Sequence, residues 1–303
     1  MAETILLTGA SGLIGRYVHR MLRERGDTVI AIDRLAAEDV LSCDLSEVHR
    51  LHDLAGNATA VLHCGAISGP MVARDNPFLS VESNIVGTAN IVELARIRGM
   101  RRMVYCSSVS AFGSTPEGLD LVPEDVVQRP SSVYGASKVA GEALLEGYRK
   151  QHGVDSVSLR PGWVYGPGRT TDCAIRTMIQ DAQAGQRTAF PFGRDFYRQY
   201  VHVEDVAAAI LLALDAKDLP RRSYTITGGS YLALGDVAAI VRKVLPAAHI
   251  EMGAGADPVD DVQARFDISA AERDLGYRPK IGLEDGIAAY AKWLADPDRR
   301  AAA

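Results

Sequence analysis

The apolar positions in the first half of the chain fall into two alternating patterns. Short unbroken apolar runs stand at Thr4–Thr8, Thr28–Ile32, Ala60–Leu62, Met103–Cys106 and Ser156–Leu159. Each has the length of a buried strand. Between them lie helical patterns. From Gly12 to about Arg25, Leu13, Ile14, Tyr17, Val18, Met21 and Leu22 share one face, and Gly26 follows as a C-terminal stop. Further helices are predicted near Glu47–Leu54, over Leu79–Arg98 and over Gly135–His152. Apolar runs without alternation, separated by amphipathic helices, predict a parallel sheet covered on both faces. Right-handed crossovers then make the fold class α/β, a doubly wound parallel sheet.

The pattern changes after Arg160. The stretches Gly162–Gly168 and Phe190–Gly193 are rich in Gly, Pro and aromatic residues. Helices are predicted at Asp172–Ala184, Glu204–Ala216, Leu234–Val244 and Leu283–Leu294, with a strand at Tyr224–Thr227. No linker separates the halves. The expected division is a core over residues 1–160 and, over 161–303, mainly a smaller lobe, with segments returning to the core. The polar, alanine-rich tail Asp296–Ala303 is expected to fray.

Composition narrows the classes. The 303 residues are 47% hydrophobic and 23% charged, as in a folded globular protein. A net charge of −5 argues against binding nucleic acid through its phosphates. The longest apolar run, Val206–Leu214, is flanked by Asp205 and Asp215 and is far below the ~20 residues of a membrane span. No basic flank precedes the first apolar run, so no signal peptide is expected, and the cytoplasm is the expected location. The four cysteines, Cys43, Cys64, Cys106 and Cys173, are scattered without a CxxC pair. The seven histidines form no HExxH, so no metal site is expected. Cys64 and Cys106 lack an activating base nearby in sequence, and no nucleophilic role is expected of them. The cluster Arg96, Arg98, Arg101 and Arg102 reads as a solvated surface at a helix end. His202 reads as structural.

The first strand runs into Thr8-Gly9-Ala10-Ser11-Gly12-Leu13-Ile14-Gly15. Glycines at positions 9, 12 and 15 suit a strand–turn–helix that binds a pyrophosphate. The turn needs unusual backbone angles, the phosphate must approach the helix N-terminus, and the third glycine lets helix and strand lie close. Asp33 ends the second strand, 18 residues after Gly15. A carboxylate there accepts hydrogen bonds from an adenosine ribose and repels a 2′-phosphate, which favours NAD. Arg34, next in sequence, would tolerate that phosphate. Asp44-Leu45 would place another carboxylate near the adenine.

Tyr134 and Lys138 stand four apart at the start of a helix and share a face. An ammonium beside a phenol favours the phenolate, which can take a proton from a hydroxyl. On spacing alone a helix-surface pair of no consequence is the better reading. The glycine loop upstream and the serines of Tyr105-Cys106-Ser107-Ser108 change that reading. Serines at the C-terminal end of a parallel strand face the crevice where ligands bind.

Taken together, these segments resemble the extended short-chain dehydrogenases/reductases, the NAD-dependent epimerase/dehydratase family. The resemblance runs along nearly the whole chain: Thr8–Gly15, Cys43-Asp44-Leu45, His63-Cys64-Gly65-Ala66, Asn84–Asn90, Cys106–Gly113, Tyr134-Gly135-Ala136-Ser137-Lys138, Leu159–Pro167, Arg198–Val206 and Leu275–Pro279. It implies a Rossmann sheet and NAD as cofactor. The family's catalytic Ser/Thr stands five residues before the glycine that is Gly113 here, which selects Ser108 over Ser107. Tyr134 would be the general base, and Lys138 would bind the nicotinamide ribose and tune the tyrosine. Cofactor contacts would come from Gly9, Gly12, Leu13, Ile14, Gly15, Asp33, Asp44, Leu45, Cys64, Gly65, Ala66, Asn84, Pro161 and Val164, with Tyr134 and Lys138. Substrate contacts would come from Ser68, Ser108, Trp163, Thr171 and Arg198. Family members often dimerise through two long helices, here Leu79–Arg98 and Gly135–His152, so a homodimer is implied.

Three departures bear on the substrate. Trp163 replaces an asparagine that helps hold the diphosphate in UDP-galactose 4-epimerase-like members. The segment Gly253-Ala254-Gly255-Ala256-Asp257 lacks a second diphosphate-gripping arginine. Phe112 replaces a tyrosine before Gly113 and reads as packing. Arg198 matches the family's phosphate-contacting arginine. Thr170-Thr171-Asp172 is similar to a stretch near the substrate of short-chain L-threonine 3-dehydrogenases, and equally suits a helix N-cap. The first functional reading is an NAD-dependent oxidoreductase acting on a secondary hydroxyl of a sugar, sugar acid, polyol or hydroxy acid. The alternative is a nucleotide-sugar epimerase or dehydratase that regenerates NAD in each cycle. A non-catalytic NAD-binding protein of the same fold is the third.

Overall fold

The computed structural model describes residues 3–69, 71–72, 75–257 and 260–296. Seven strands build one sheet: β1 (Thr4–Thr8), β2 (Thr28–Asp33), β3 (Leu41–Ser42), β4 (Ala60–His63), β5 (Arg102–Cys106), β6 (Ser156–Pro161) and β7 (Ser223–Ile226). Their order is β7-β6-β5-β4-β1-β2-β3, and every neighbouring pair is parallel. The helices are α1 (Leu13–Arg25), α2 (Val48–Ala55), α3 (Gly87–Arg98), α4 (Val133–His152), α5 (Ala174–Gln183), α6 (Val203–Asp215), α7 (Leu234–Val244) and α8 (Leu283–Ala295). The strand order reverses between β1 and β4. A crevice for ligands opens there, beyond the carboxyl ends of the strands.

The sheet is buried on both faces, which is why its strands read as unbroken apolar runs. On one face Ile5, Leu7 and Leu62 pack with Val18 and Leu22 of α1 and with Val206, Ala207 and Ile210 of α6. On the other, Leu6, Val61 and Met103 pack with Leu51 of α2, Ile91 and Leu94 of α3, and Leu145 of α4. A third apolar cluster joins Ile179 of α5, Val237 and Val241 of α7, and Ile287 and Tyr290 of α8.

Two segments beyond residue 160 thus belong to the sheet layer. The strand expected at Tyr224–Thr227 is β7, the seventh strand, with Tyr224 opposite Leu159. Helix α6 lies on the sheet beside α1, and Arg20 pairs with Glu204 across them at 2.8 Å. Four small strand pairs were not foreseen. Leu121–Val122 joins Arg265–Phe266, Trp163–Tyr165 joins Tyr200–His202, Arg187–Phe190 joins His249–Met252, and Tyr197–Arg198 joins Leu232–Ala233. Runs of two to four residues are too short to carry a period.

The single helix expected over Leu79–Arg98 is broken. A short helical turn, Pro77–Ser80, leads into a π-helical segment, Val81–Val86, before α3 begins. The wider winding is accompanied by two anchors: Asn84 is fully buried, and a Cβ on Gly87 would stand 2.8 Å from Leu45 Cβ. The arginine cluster is also not uniformly solvated. Arg102 is buried at the start of β5, where it donates to the carbonyls of Ala213 and Ala216 and pairs with Asp155 at 2.8 Å. A guanidinium at the end of α6 satisfies carbonyls that the helix leaves open. Residues 297–303 of the tail lie outside the described residues.

Candidate active site

The turn after β1 is shaped by close backbone approach. Gly9 has φ +70°, and a Cβ on it would lie 2.5 Å from the Gly65 nitrogen. A Cβ on Gly15 would lie 1.9 Å from the Gly9 carbonyl oxygen. Helix α1 begins at Leu13 and Ile14 behind an extended Gly12, with no side-chain cap. Its first N–H groups therefore face the turn without a side-chain acceptor, as an anion site requires. Asp33, at the end of β2, accepts the Ser11 N–H at 3.0 Å and the Arg34 N–H at 2.7 Å. This carboxylate ties the glycine turn to the second strand. Bare first-turn N–H groups, a cradle that a Cβ would fill and an acid at the end of β2 fit a dinucleotide such as NAD.

Asp44 accepts the backbone N–H and the hydroxyl of Ser46, which hold its carboxyl below the usual carboxylate range. Leu45 is wedged between Gly65 and Gly87, and its carbonyl accepts the Asn90 amide at 2.8 Å.

Behind the crevice runs a hydrogen-bonded chain that the sequence did not reveal. The Thr88 hydroxyl donates to the Asn84 carbonyl at 2.6 Å, so it accepts from His63 Nε2 at 3.0 Å. His63 Nδ1 then accepts the Thr8 hydroxyl at 2.7 Å, and Thr8 Oγ1 accepts the Gly65 N–H at 3.2 Å. Burial, helped by the nearby Lys138 charge, drives the His63 pKa down to about 3. The imidazole is neutral and structural. Asn84 uses both amide hydrogens within the protein, on the Ile67 carbonyl and Ser137 Oγ, each at 3.0 Å. Its Oδ1 accepts the Ile67 N–H. It thus holds the segment at Ile67, just after Cys64, Gly65 and Ala66, against helix α4.

Helix α4 begins at Ser132, whose hydroxyl accepts the Gly135 N–H. A Cβ on Gly135 would lie 2.4 Å from the Ser110 carbonyl oxygen, so the start of the helix rests on the turn that follows Ser108. Lys138 Nζ donates to the Cys106 carbonyl at 2.7 Å. It sits 4.9 Å from the Tyr105 ring centroid and 5.7 Å from that of Tyr134. Burial opposes its charge, but Tyr105, Tyr134 and Cys106 outweigh burial and raise its pKa. Lys138 is therefore an ammonium at neutral pH. The same contact corrects the reading of Cys106 as having no cation near it. The amine comes from the overlying helix, not from the neighbouring sequence.

The two serines divide their work. Ser107 is buried, and its hydroxyl donates to Glu142 at 2.5 Å. Ser108 is half-buried, and its Oγ caps the Val109–Ala111 turn, accepting the Ser110 N–H at 3.1 Å. Ser108 thus stands on the turn after β5 against which the start of α4, with Tyr134 and Lys138, rests.

The remaining expected residues are scattered. Pro161 is buried at the end of β6, and half-buried Val164 packs under the crevice side of the sheet. Ser68 and Thr171 are exposed. The Thr170-Thr171-Asp172 stretch is no N-cap. Cys173 holds that position at α5, without a side-chain cap bond. His202 caps α6 by accepting the Glu204 N–H at 3.3 Å. Phe112 packs under the Arg160 guanidinium at 4.7 Å and against Phe266. Arg198 is buried. Its guanidinium lies 4.2 Å from the Trp163 ring centroid and pairs with Asp257 and Asp260.

The profile of the NAD dependent epimerase/dehydratase family matches residues 5–227. The UDP-glucose 4-epimerase of Mycolicibacterium smegmatis is 29% identical, over 93% of this chain and 96% of that protein. UDP-glucuronate 4-epimerase 4 of Arabidopsis thaliana is 26% identical, over 99% of this chain and 78% of that protein. Among solved structures, MoeE5 in complex with UDP-glucuronic acid and NAD is 27% identical with a TM-score of 0.87, covering 96% of this chain and 99% of that one. The Thermus thermophilus UDP-glucose 4-epimerase complex with NAD is 27% identical with a TM-score of 0.85, covering 97% and 99%. The match spans the glycine turn, the serine turn and the Tyr/Lys helix alike, and the chain belongs to the NAD-dependent epimerase/dehydratase family, whose members are NAD-dependent enzymes of hydride transfer at a sugar hydroxyl.

Proposed function

We propose that this chain oxidises a secondary hydroxyl of a sugar-like substrate, with Tyr134 as general base. The observation that carries the proposal is the buried Lys138 ammonium, fixed on the Cys106 carbonyl and facing the Tyr134 ring. The fixed cation offsets negative charge on the reacting oxygens as Tyr134 takes the hydroxyl proton. Ser108 Oγ holds the substrate oxygen while the carbon–oxygen double bond forms. NAD, when bound, supplies the hydride acceptor. The glycine turn and the first turn of α1 hold its pyrophosphate, and Asp33 takes the adenosine ribose, favouring NAD over NADP. Asp44, Leu45, Cys64, Gly65, Ala66, Pro161 and Val164 line the cofactor's path, and Asn84 acts from behind it. Trp163 and Arg198 face the substrate, and Ser68 and Thr171 belong to the rim.

Residues 1–160 carry the cofactor in this reading, and the lobe built from α5, α7 and α8 closes over the substrate. The exposed Phe78, Val86 and Val133, on the two long helical segments, support a homodimer through that face. The absence of a long apolar helix among the described residues and the four free cysteines suit a cytoplasmic location.

A second reading has its own observation. MoeE5, at 27% identity, was crystallised with UDP-glucuronic acid and NAD. By that analogy the chain would be a nucleotide-sugar epimerase or dehydratase, with the hydride returned in each cycle. One experiment tests both. The purified protein is incubated with NAD and a panel of sugars, sugar acids, hydroxy acids and nucleotide sugars. NADH absorbance and product identity are followed, with Tyr134→Phe as control. NADH accumulating with a free substrate establishes the first reading. Isomerised or dehydrated nucleotide sugar without net NADH establishes the second. No turnover with any compound and no NAD binding rejects both.

A further inference from the structure

The cation at the substrate side is already neutralised within the protein. Arg198 Nη2 pairs with Asp257 at 3.2 Å and with Asp260. The three side chains are 8%, 22% and 12% exposed, so solvent screens the cluster poorly. One guanidinium and two carboxylates give a formal charge of −1. The guanidinium lies against two aromatic rings, Trp163 at 4.2 Å and Phe196 at 4.9 Å. Its Nε is buried and, among the described residues, has no hydrogen-bond partner.

Hydrogen bonds tie the neighbours of this cluster to the turn that follows Ser108. Trp163 follows the end of β6 by two residues, and its N–H donates to the Gln199 carbonyl, beside Arg198. Asp261, after Asp260, accepts the Ser114 hydroxyl at 3.0 Å. Gln263 donates to the carbonyls of Val109 and Gly113, in the turn that begins at Ser108. The acidic segment is therefore laced to the serine turn, and Arg198 bridges it to the end of β6.

We propose that this subsite takes a free polyhydroxylated substrate, a sugar or polyol without a nucleotide, and rejects a nucleoside diphosphate. The proposal rests on the hydride-transfer reading above and names its substrate class. A diphosphate brought to Arg198 would meet two partly buried carboxylates that hold the guanidinium and repel further negative charge. Sugar hydroxyls meet the opposite situation. Carboxylate oxygens accept from them, the unpartnered Nε–H donates to them, and aromatic edges suit the apolar C–H faces of a sugar ring. The buried Nε–H is a donor that a ligand oxygen at this place can use.

The test uses the NAD-loaded protein and UDP as the diphosphate probe, by titration calorimetry. UDP is expected to show no binding at millimolar concentration to the native protein. Asp257→Asn/Asp260→Asn, which frees Arg198, is expected to bind UDP at least tenfold more tightly than the native protein. Circular dichroism checks that the variant is folded. Where the double variant unfolds, Asp257→Asn alone carries the comparison. UDP binding by the native protein that Arg198→Ala abolishes overturns the proposal. A folded asparagine variant with no gain in UDP affinity also overturns it, because the carboxylates are then not what excludes the diphosphate. In parallel assays, NADH formed from a free sugar or polyol supports the substrate class, and turnover of nucleotide sugars alone overturns it. Failure of the hydride-transfer reading looks different: the UDP titrations behave as expected, yet no compound on the panel is turned over.

Discussion

Glu142 and Arg160 form a buried bidentate ion pair, with Arg160 Nη2 2.5 Å and Nε 2.8 Å from the carboxylate. The same carboxylate accepts the Ser107 hydroxyl and the Gln128 amide. Glu142 stands one helical turn beyond Lys138, so the pair fastens three things together: the Tyr/Lys helix, the serine end of β5, and β6. Arg160 Nη1 reaches the Glu124 carbonyl. Under the proposed mechanism both are positioning residues, acting through Ser107 and the Tyr/Lys helix.

Removing one partner of such a pair leaves an uncompensated buried charge. Glu142→Ala is expected to lower folding stability by about 3–5 kcal/mol, read from urea unfolding. Glu142→Gln, which keeps hydrogen-bonding atoms, is expected to lose less stability. Both variants are expected to lower kcat more than they raise KM, because the serine turn is displaced rather than the substrate subsite. An unchanged kcat in a folded Glu142→Gln protein would exclude the positioning role.

Gly15 makes a sharper prediction. A Cβ there would stand 1.9 Å from the Gly9 carbonyl oxygen, which belongs to backbone and cannot rotate away. Gly15→Ala must push α1 from the turn and move the first-turn N–H groups off the pyrophosphate position. NAD binding is expected to weaken at least about tenfold, or about 1.4 kcal/mol, measured by quenching of intrinsic fluorescence. Gly147→Ala is the control, since a Cβ there meets nothing within 4 Å. It is expected to bind NAD normally.

The sheet was legible because its strands are buried on both faces. Leu6 and Leu7 must both be apolar when each faces a packed layer. The glycine turn was legible because close backbone approach excludes every side chain at Gly9 and Gly15. The break at Val81–Val86 was hidden, because it arises from the Asn84 and Gly87 contacts to Ile67 and Leu45, remote in sequence. The same holds for Arg198. Its identity matched an anion-binding pattern, but its charge is countered by Asp257 and Asp260, some sixty residues away. His63 gave no signal, since a histidine next to a strand end looks alike whether solvated or sealed between Thr8 and Thr88.

In the proposed reading, Asp33 sets cofactor choice through charge. Its carboxylate accepts the Ser11 and Arg34 N–H groups and, beside Arg34, leaves a site where a 2′-phosphate meets a like charge. Asp33→Asn keeps an acceptor for the Ser11 N–H but removes the negative charge, leaving Arg34 to attract the phosphate. The preference for NAD over NADP, taken as the ratio of kcat/KM values, is expected to fall by about ten- to a hundredfold, about 1.4–2.8 kcal/mol. A ratio that does not move would mean that the acid is not at the ribose.

His63 links the fold to pH. Its pKa is driven to about 3 in the folded protein by burial, then by Lys138, against an ordinary value of 6.5. The folded pKa is the lower of the two, so below pH 6.5 the unfolded chain binds a proton that the native imidazole refuses. Stability is fully present above about pH 6.5 and is lost as the pH falls toward about 3. The slope is that of one proton, about 1.4 kcal/mol per pH unit. Urea unfolding between pH 7.5 and 4.5 checks this against His63→Gln, whose amide does not titrate. The variant is expected to be less stable at pH 7.5, because the links from Thr8 to Thr88 are broken. Its stability is expected to fall less steeply, by one proton, as the pH drops, so the two curves converge in acid. Parallel curves would show that the native imidazole takes up its proton as readily as the unfolded one, and His63 Nδ1 would then donate to Thr8 rather than accept from it.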